Sequence, residues 1–233
     1  MAMRCLVLFL AALCLLPACS SAPGLVLHQY GVMREVMREG RNEARTPLAR
    51  FAQPGTVAVG ALAGLHGEFL IDDGVAWVAV DTPEAVAAAP DATATLLTAA
   101  TVPAWREATL AAVVDLDGLE AALEQAHGAP IAGGEVVPFT LVGVGSVQLH
   151  VARGGCPHDA NLPAASAPAR WSGDQVPLRL VGFFVKGREG ELTHMGTSLH
   201  VHVLVTGADG KRRTGHVEQV ALAAGARLQL PAR

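Results

Sequence analysis

Three histidines carry the strongest chemical signal in this sequence. His200 and His202 stand in Leu199-His200-Val201-His202-Val203-Leu204-Val205, and His216 follows the turn Gly207-Ala208-Asp209-Gly210. Alternate residues of a strand project to one face, so His200 and His202 share a face while Val201, Val203 and Val205 share the other and read as core. A hairpin centred on Asp209 pairs position 202 with position 216, because both lie equally far from its centre. Directly opposed residues have Cβ atoms about 4.5–5.5 Å apart, so this register brings the third imidazole beside the first two. Three imidazoles at such a corner suit one divalent transition ion, zinc first among them, with nickel, cobalt or copper fitting the same ligands. A fourth position stays open, which is the arrangement of catalytic sites. The alternative reading of the same pattern is three surface histidines on a solvated strand face. His194, just ahead of the strand, is placed to support the ligands from behind. His66, His127, His150 and His158 have no partner at ligand spacing and read as surface or internally satisfied histidines.

The elements that must hold these side chains are mostly strands. Val57 to Val80 is rich in Val, Ala and Gly, with turn signals at Gly64 and Asp73-Gly74, and predicts two or three antiparallel strands. Thr93 to Thr101 predicts another. Further strands are expected near 136–144, 146–152, 178–186, 197–206 and 214–222. Two helices are expected: Met33 to Glu39, stopped by Gly40, and Leu116 to His127, with Leu116, Leu119 and Leu123 on one face. Residues 41–54 read as a loop, and the Pro- and Ala-rich stretch 154–176 as a long connection or flap. Strands with a few helices and no internal repeat give an α+β class. Gly133-Gly134 is a natural joint, which divides the chain into an N-terminal β-rich half over 28–130 and a C-terminal β-rich half over 131–233 that carries the histidines.

The amino terminus reads as an export signal. Arg4 precedes an unbroken apolar run from Leu6 to Leu16, too short for a bilayer span, and Leu16-Pro17-Ala18-Cys19-Ser20-Ser21 resembles the lipobox of bacterial lipoproteins. By that resemblance residues 1–18 are removed, Cys19 is acylated, residues 19–27 form a tether, and the protein is lipid-anchored to a bacterial membrane, facing the periplasm or cell exterior. An ordinary signal peptide cut after Ala18 or Ala22 is the alternative. Cys156 is then the one thiol left, either a nucleophile or ligand or a buried structural residue, with no internal partner for a disulfide. The 233 residues carry a formal charge of −4, a pI of about 6.1 and only 4% aromatic residues. The core is therefore built from small and β-branched side chains, and no basic patch points to nucleic acid.

The residues around the histidines resemble those of a known family. Leu199-His200-Val201-His202-Val203 with Gly215-His216-Val217 is similar to the His-x-His and Gly-His signature of the acetolactate decarboxylases. Upstream, Val59-Gly60-Ala61-Leu62-Ala63-Gly64-Leu65-His66-Gly67-Glu68-Phe69-Leu70-Ile71 resembles the family's Gly-Thr-hydrophobic-Asp-Gly-Leu-Asp-Gly-Glu run. Pro138-Phe139, leading through an expected hairpin to Val151-Ala152-Arg153, resembles a strand of the family and the arginine that ends the next. The three matches keep the family's order over roughly residues 28 to 231. The resemblance implies two packed, mostly antiparallel or mixed β halves and zinc-dependent release of carbon dioxide from 2-acetolactate to give acetoin. It implies His200, His202 and His216 as zinc ligands, with Glu68 and Arg153 lining the site. The implied partner is a small 2-hydroxy-3-oxo acid, and a homodimer is compatible with it. Departures from the pattern are Ala61 in place of the family threonine, His66 in place of its second aspartate, and an ending at Leu230-Pro231-Ala232-Arg233 without the family's further acidic residue. These leave a non-catalytic, decarboxylase-like lipoprotein that binds metal or a small oxo-acid as the alternative.

Overall fold

The computed structural model describes residues 24–155 and 161–232. Seven strands form the first sheet: β1 (Val26–Tyr30), β2 (Thr46–Pro47), β3 (Thr56–Leu62), β4 (Glu68–Asp72), β5 (Val75–Ala79), β6 (Ala85–Ala87) and β7 (Thr93–Thr101). Their order is β1-β7-β3-β4-β5-β6, with β2 also on β7, and every pairing is antiparallel. The expected strands between Val57 and Val80 are β3, β4 and β5. Asp73 and Gly74 turn β4 into β5 with φ of 49° and 79°, the positive pair that a two-residue hairpin of matching twist requires.

The second sheet holds β8 (Trp105–Thr109), β9 (Val136–Val151), β10 (Ala169–Val185), β11 (Leu199–Thr206), β12 (Arg212–Leu222) and β13 (Arg227–Pro231). The chain crosses between the sheets after Thr101, since β8 already pairs with β13. β9 pairs with β10 along one edge and with β12 along the other, and β11 joins β10 to β12, so β9, β10, β11 and β12 close into a ring. Four expectations are corrected here. The separate strands near 136–144 and 146–152, with a hairpin between them, are one strand of 16 residues. Gly145 is small because β12 crosses it closely: a Cβ there would lie 2.0 Å from the Ala221 carbonyl oxygen. The connection expected over 154–176 is shorter, because Ala169 already pairs with Val151 and opens β10. The tether and the 41–54 loop likewise contain strand, in β1 and β2.

Inside the ring sit Phe139, Leu141 and Leu149 of β9, Leu180 of β10, Val201, Val203 and Val205 of β11 and Val217 of β12, all buried. The helix α2 (Leu116–His127) adds Leu119 and Leu123 to that cluster. Its bounds match the sequence expectation because both ends are signalled. The Asp115 side chain accepts from the Gly118 N–H at 2.8 Å, and Gly128 takes the left-handed conformation at the carboxyl end. Burying two leucines contributes on the order of 2–3 kcal/mol each. The short helix α1 (Met33–Arg38) packs Met33 and Val36 against Ala61, Leu65 and Ala152.

The opposite face of the ring packs on the first sheet. Val57, Val59, Leu70 and Ala100 meet Val181 and Phe183 in an apolar seam. Polar ties frame it: Arg179 donates to Asp72 at 2.6 Å, the Thr214 N–H donates to the Pro83 carbonyl at 3.0 Å, and the Arg212 guanidinium lies 4.5 Å from the Trp77 ring centre. The seam is where residues of the two sheets can meet.

Candidate metal centre

β11 and β12 form the hairpin read from the sequence, with His202 directly opposite His216. His200 follows by strand parity. Ring centres are 5.1 Å apart for His200 and His202 and 5.4 Å for either with His216. One ligand atom from each of the three lies within 4.8 Å of the others. An ion shared at about 2.0–2.1 Å from each nitrogen needs them somewhat closer, a matter of ring rotation. His200 and His202 are buried and His216 is half-buried, so the cluster opens on the His216 side.

The donor atoms fit a metal. Nδ1 of His200 and both ring nitrogens of His202 are buried without a well-formed hydrogen bond, the Phe69 backbone offering His202 only a weak one, a costly condition that a bound cation would relieve. All three imidazoles are held neutral, with lone pairs available. Burial pushes His200 down to about 4 against a weak pull from the Leu192 carbonyl. Burial first, then repulsion from His200 and His150, holds His202 well below its ordinary range. Burial and four neighbouring imidazoles, His194 foremost, do the same to His216.

Glu68 arrives from the other sheet. It opens β4 with its side chain on the same face as Leu70, toward the seam, and one carboxylate oxygen lies 3.7 Å from Nε2 of His202. The carboxyl is 4% exposed. Burial raises its pKa well above the ordinary value, opposed by a hydrogen bond from the Ala152 N–H. The turn before it is tight. Gly67 has φ of 124°, and a Cβ there would lie 2.4 Å from the Ala79 carbonyl oxygen, so only glycine fits. The Gly154 N–H closes on the Leu65 carbonyl at 2.8 Å, and the His66 ring packs over Gly154. Ala61 is the cross-strand partner of Glu68 and is fully buried, so no hydroxyl faces the carboxyl from that position.

Arg153 follows Ala152 at the end of β9. Its Nε makes no hydrogen bond, and its anionic neighbour is Asp81 at 3.9 Å. The structure thus brings Glu68 against the histidines and leaves Arg153 one residue from the amide that holds Glu68. Cys19, Cys156 and His158 lie outside the described residues.

Two further histidines join the cluster. His194 packs its ring 4.9 Å from His216 and 6.4 Å from His200, as its place ahead of the strand suggested. His150 is buried, 5.0 Å from the His216 ring, with Nδ1 at 3.1 Å from Glu218, which Arg170 grips through Nε and an Nη. It is internally satisfied, as read from the sequence, but its place beside His216 was not legible there. The signal would have been parity along a single β9 strand, which the glycines at 143 and 145 disguised.

A sequence profile described as Alpha-acetolactate decarboxylase matches residues 27–231. Among solved structures, the alpha-acetolactate decarboxylase of Bacillus subtilis strain 168 superposes with a TM-score of 0.68 at 15% identity, over 88% of this chain and 86% of that one. The acetolactate decarboxylase of Bacillus subtilis subspecies spizizenii gives 0.66 at 14% identity over 89% and 86%. A Staphylococcus aureus protein of unknown function, similar to alpha-acetolactate decarboxylase, gives 0.64 at 15% over 88% and 84%. At such identities the likeness is one of fold. Comparison with curated protein sequences found no match.

Proposed function

The chain belongs to the alpha-acetolactate decarboxylase family, and we propose that it releases carbon dioxide from 2-acetolactate to leave acetoin, using a divalent ion, zinc first, held by His200, His202 and His216. One observation carries this reading: a buried carboxyl from one sheet stands 3.7 Å from His202, one of three clustered imidazoles on the other. A divalent ion held by those imidazoles would supply Lewis acidity toward the substrate and would offset developing negative charge.

The remaining work falls to side chains. When the C–C bond breaks, the electron pair stays on the substrate carbon, and that carbon must take a proton. Glu68 is placed to deliver one, since its carboxyl stands 3.7 Å from Nε2 of His202 and the Ala152 N–H fixes it in place. Water then returns the proton to Glu68. Arg153 is assigned the substrate carboxylate, which a guanidinium can grip with paired hydrogen bonds. The rings of His200 and His202, walled by the seam, keep bulk water from the reacting atoms.

Acetoin formation by the purified, zinc-loaded protein tests the reading. Glu68→Gln should keep its zinc and lose about 10²-fold or more in kcat. Ala61 favours a second reading, a protein that binds the oxo-acid without turnover, since the position opposite Glu68 offers no hydroxyl. Bound zinc and retained acetolactate with no acetoin would establish that one. We further propose export and lipid anchoring through Cys19, supported by the Leu6–Leu16 run and the Leu-Pro-Ala-Cys sequence. Mass spectrometry should find acyl chains on Cys19 and none on the Cys19→Ala protein, and an unacylated wild-type terminus would refute the anchor.

A further inference from the structure

Beside the metal centre lies a hollow that neither the ligands nor Glu68 use. Met33, Arg34, Met37 and Arg38 of α1 face Gly190, His194 and Met195 across a pocket of about 270 Å³. Backbone bonds hold these walls together: the Met33 N–H donates to Glu191 and the Arg34 N–H to Gly190, at 2.9 and 2.8 Å. The lining is mostly apolar. Arg34 directs its head toward Glu191, 4.0 Å away, and Arg38 is exposed, so both border the pocket with their stems.

Two residues of the pocket wall also pack against the surroundings of the metal centre. His194, in its wall, packs against His216 and His200. Met33 also belongs to the buried cluster with Ala61, the cross-strand partner of Glu68, and Ala152, whose N–H holds the Glu68 carboxyl. Alanine at 61 keeps that shelf apolar. Three methionines give a surface that adapts to flexible chains.

We infer that this pocket is an alkyl subsite, and that the substrates it favours are 2-hydroxy-3-oxo acids carrying an alkyl group longer than methyl. The inference rests on the decarboxylase reading for the hydroxyketone end, and the pocket adds the tail. Set against about 30 Å³ per water molecule in the liquid, its volume matches about nine waters, which leaves room for a chain of several carbons. Each buried methylene should raise affinity about fourfold until the pocket is full.

The test uses the zinc-loaded full chain and two measurements. The first is kcat/KM for carbon dioxide release from 2-hydroxy-3-oxo acids lengthened from methyl to pentyl, on the C2 side in one series and the acyl side in another. The second is calorimetric affinity for 2-hydroxy-2-alkyl carboxylates of the same lengths, which lack the ketone and cannot react. Affinity should climb about fourfold per carbon in the inert series and kcat/KM should climb in one reactive series. Both slopes should flatten in Met37→Trp, which fills the pocket. A slope that is flat or falling with length in the inert series, or one unchanged in Met37→Trp, overturns the subsite. A rising inert series with no carbon dioxide from any acid keeps the subsite and refutes the decarboxylase reading. Turnover of the methyl substrate with a flat inert series does the reverse.

Discussion

Stripped of metal, the protein should lose stability on mild acidification. In the folded chain the three ligand imidazoles stay neutral between pH 6.5 and 5.5, because burial holds His200 at about 4 and keeps His202 and His216 well below their ordinary range. In the unfolded chain each titrates near 6.5. Glu68 acts in the opposite sense: its folded carboxyl keeps a proton that the unfolded chain gives up above about 4.3. The three imidazoles alone make the unfolded state bind about 1.5 protons more at pH 6.5 and about 2.7 more at pH 5.5. At about 1.4 kcal/mol per proton per pH unit, they cost about 3 kcal/mol over that interval, and Glu68 offsets part of it. The His200 share of the loss levels off once pH falls past about 4 and its folded imidazole charges as well. On the alkaline side, the stability that Glu68 contributes below its unfolded pKa declines as pH rises through its raised folded value. Urea unfolding of chelator-stripped protein at pH 5.5, 6.5 and 7.5 reads this as a shift in midpoint at constant slope. Glu68→Gln should remove the alkaline decline and steepen the acid loss. Stability that is flat or higher at pH 5.5 than at 6.5 would refute the burial of three neutral imidazoles.

Other perturbations separate the parts of the site. His216→Ala should drop zinc from one per chain to a small fraction by atomic absorption, while His127→Ala, whose Nδ1 sits 2.9 Å from the Ala129 carbonyl oxygen, keeps its zinc. Gly215→Ala should cost about 1–3 kcal/mol in urea unfolding and weaken zinc binding, because a Cβ there would meet the His150 carbonyl oxygen at 2.4 Å and push β12 off β9 beside His216. Glu218→Gln should destabilise by about 1–3 kcal/mol near neutrality. The difference from wild type should be present above pH 4.5 and fade toward pH 2, since hydrogen bonds from His150 and Arg170 hold Glu218 down to about 2.

What was legible in the sequence followed local rules. The His202–His216 pairing came from counting along one hairpin, and Val201, Val203 and Val205 fell on the core face by parity. α2 was bounded by an aspartate and a glycine whose roles are short-range. The failures share a different cause. The break expected between strands 136–144 and 146–152 fell at Gly145, whereas that glycine permits a close crossing: a Cβ there would strike β12, as one at 143 would lie 2.9 Å from the Ala226 side chain. Without β9 as one strand, its pairing with β12 could not be seen, so His150 had no visible neighbour. Ala169 to Val176 joins β10 only through the ring that β9 closes, and its Pro- and Ala-rich approach masked it. Glu68 was found by resemblance, because nothing short-range links β4 to a hairpin so far along the chain.

Division of the site between two sheets also sets an order in time. Every strand of the first sheet ends by Thr101, so a ribosome has finished the half that bears Glu68 before His200 exists. The three-histidine clasp is complete only once residue 216 has been added, close to the last strand. A chain that crosses a membrane unfolded, as the Leu6–Leu16 leader would have it, meets its ion at the destination. Under the proposed export, the metal would then reflect what that compartment supplies and not the cytoplasm's own stock.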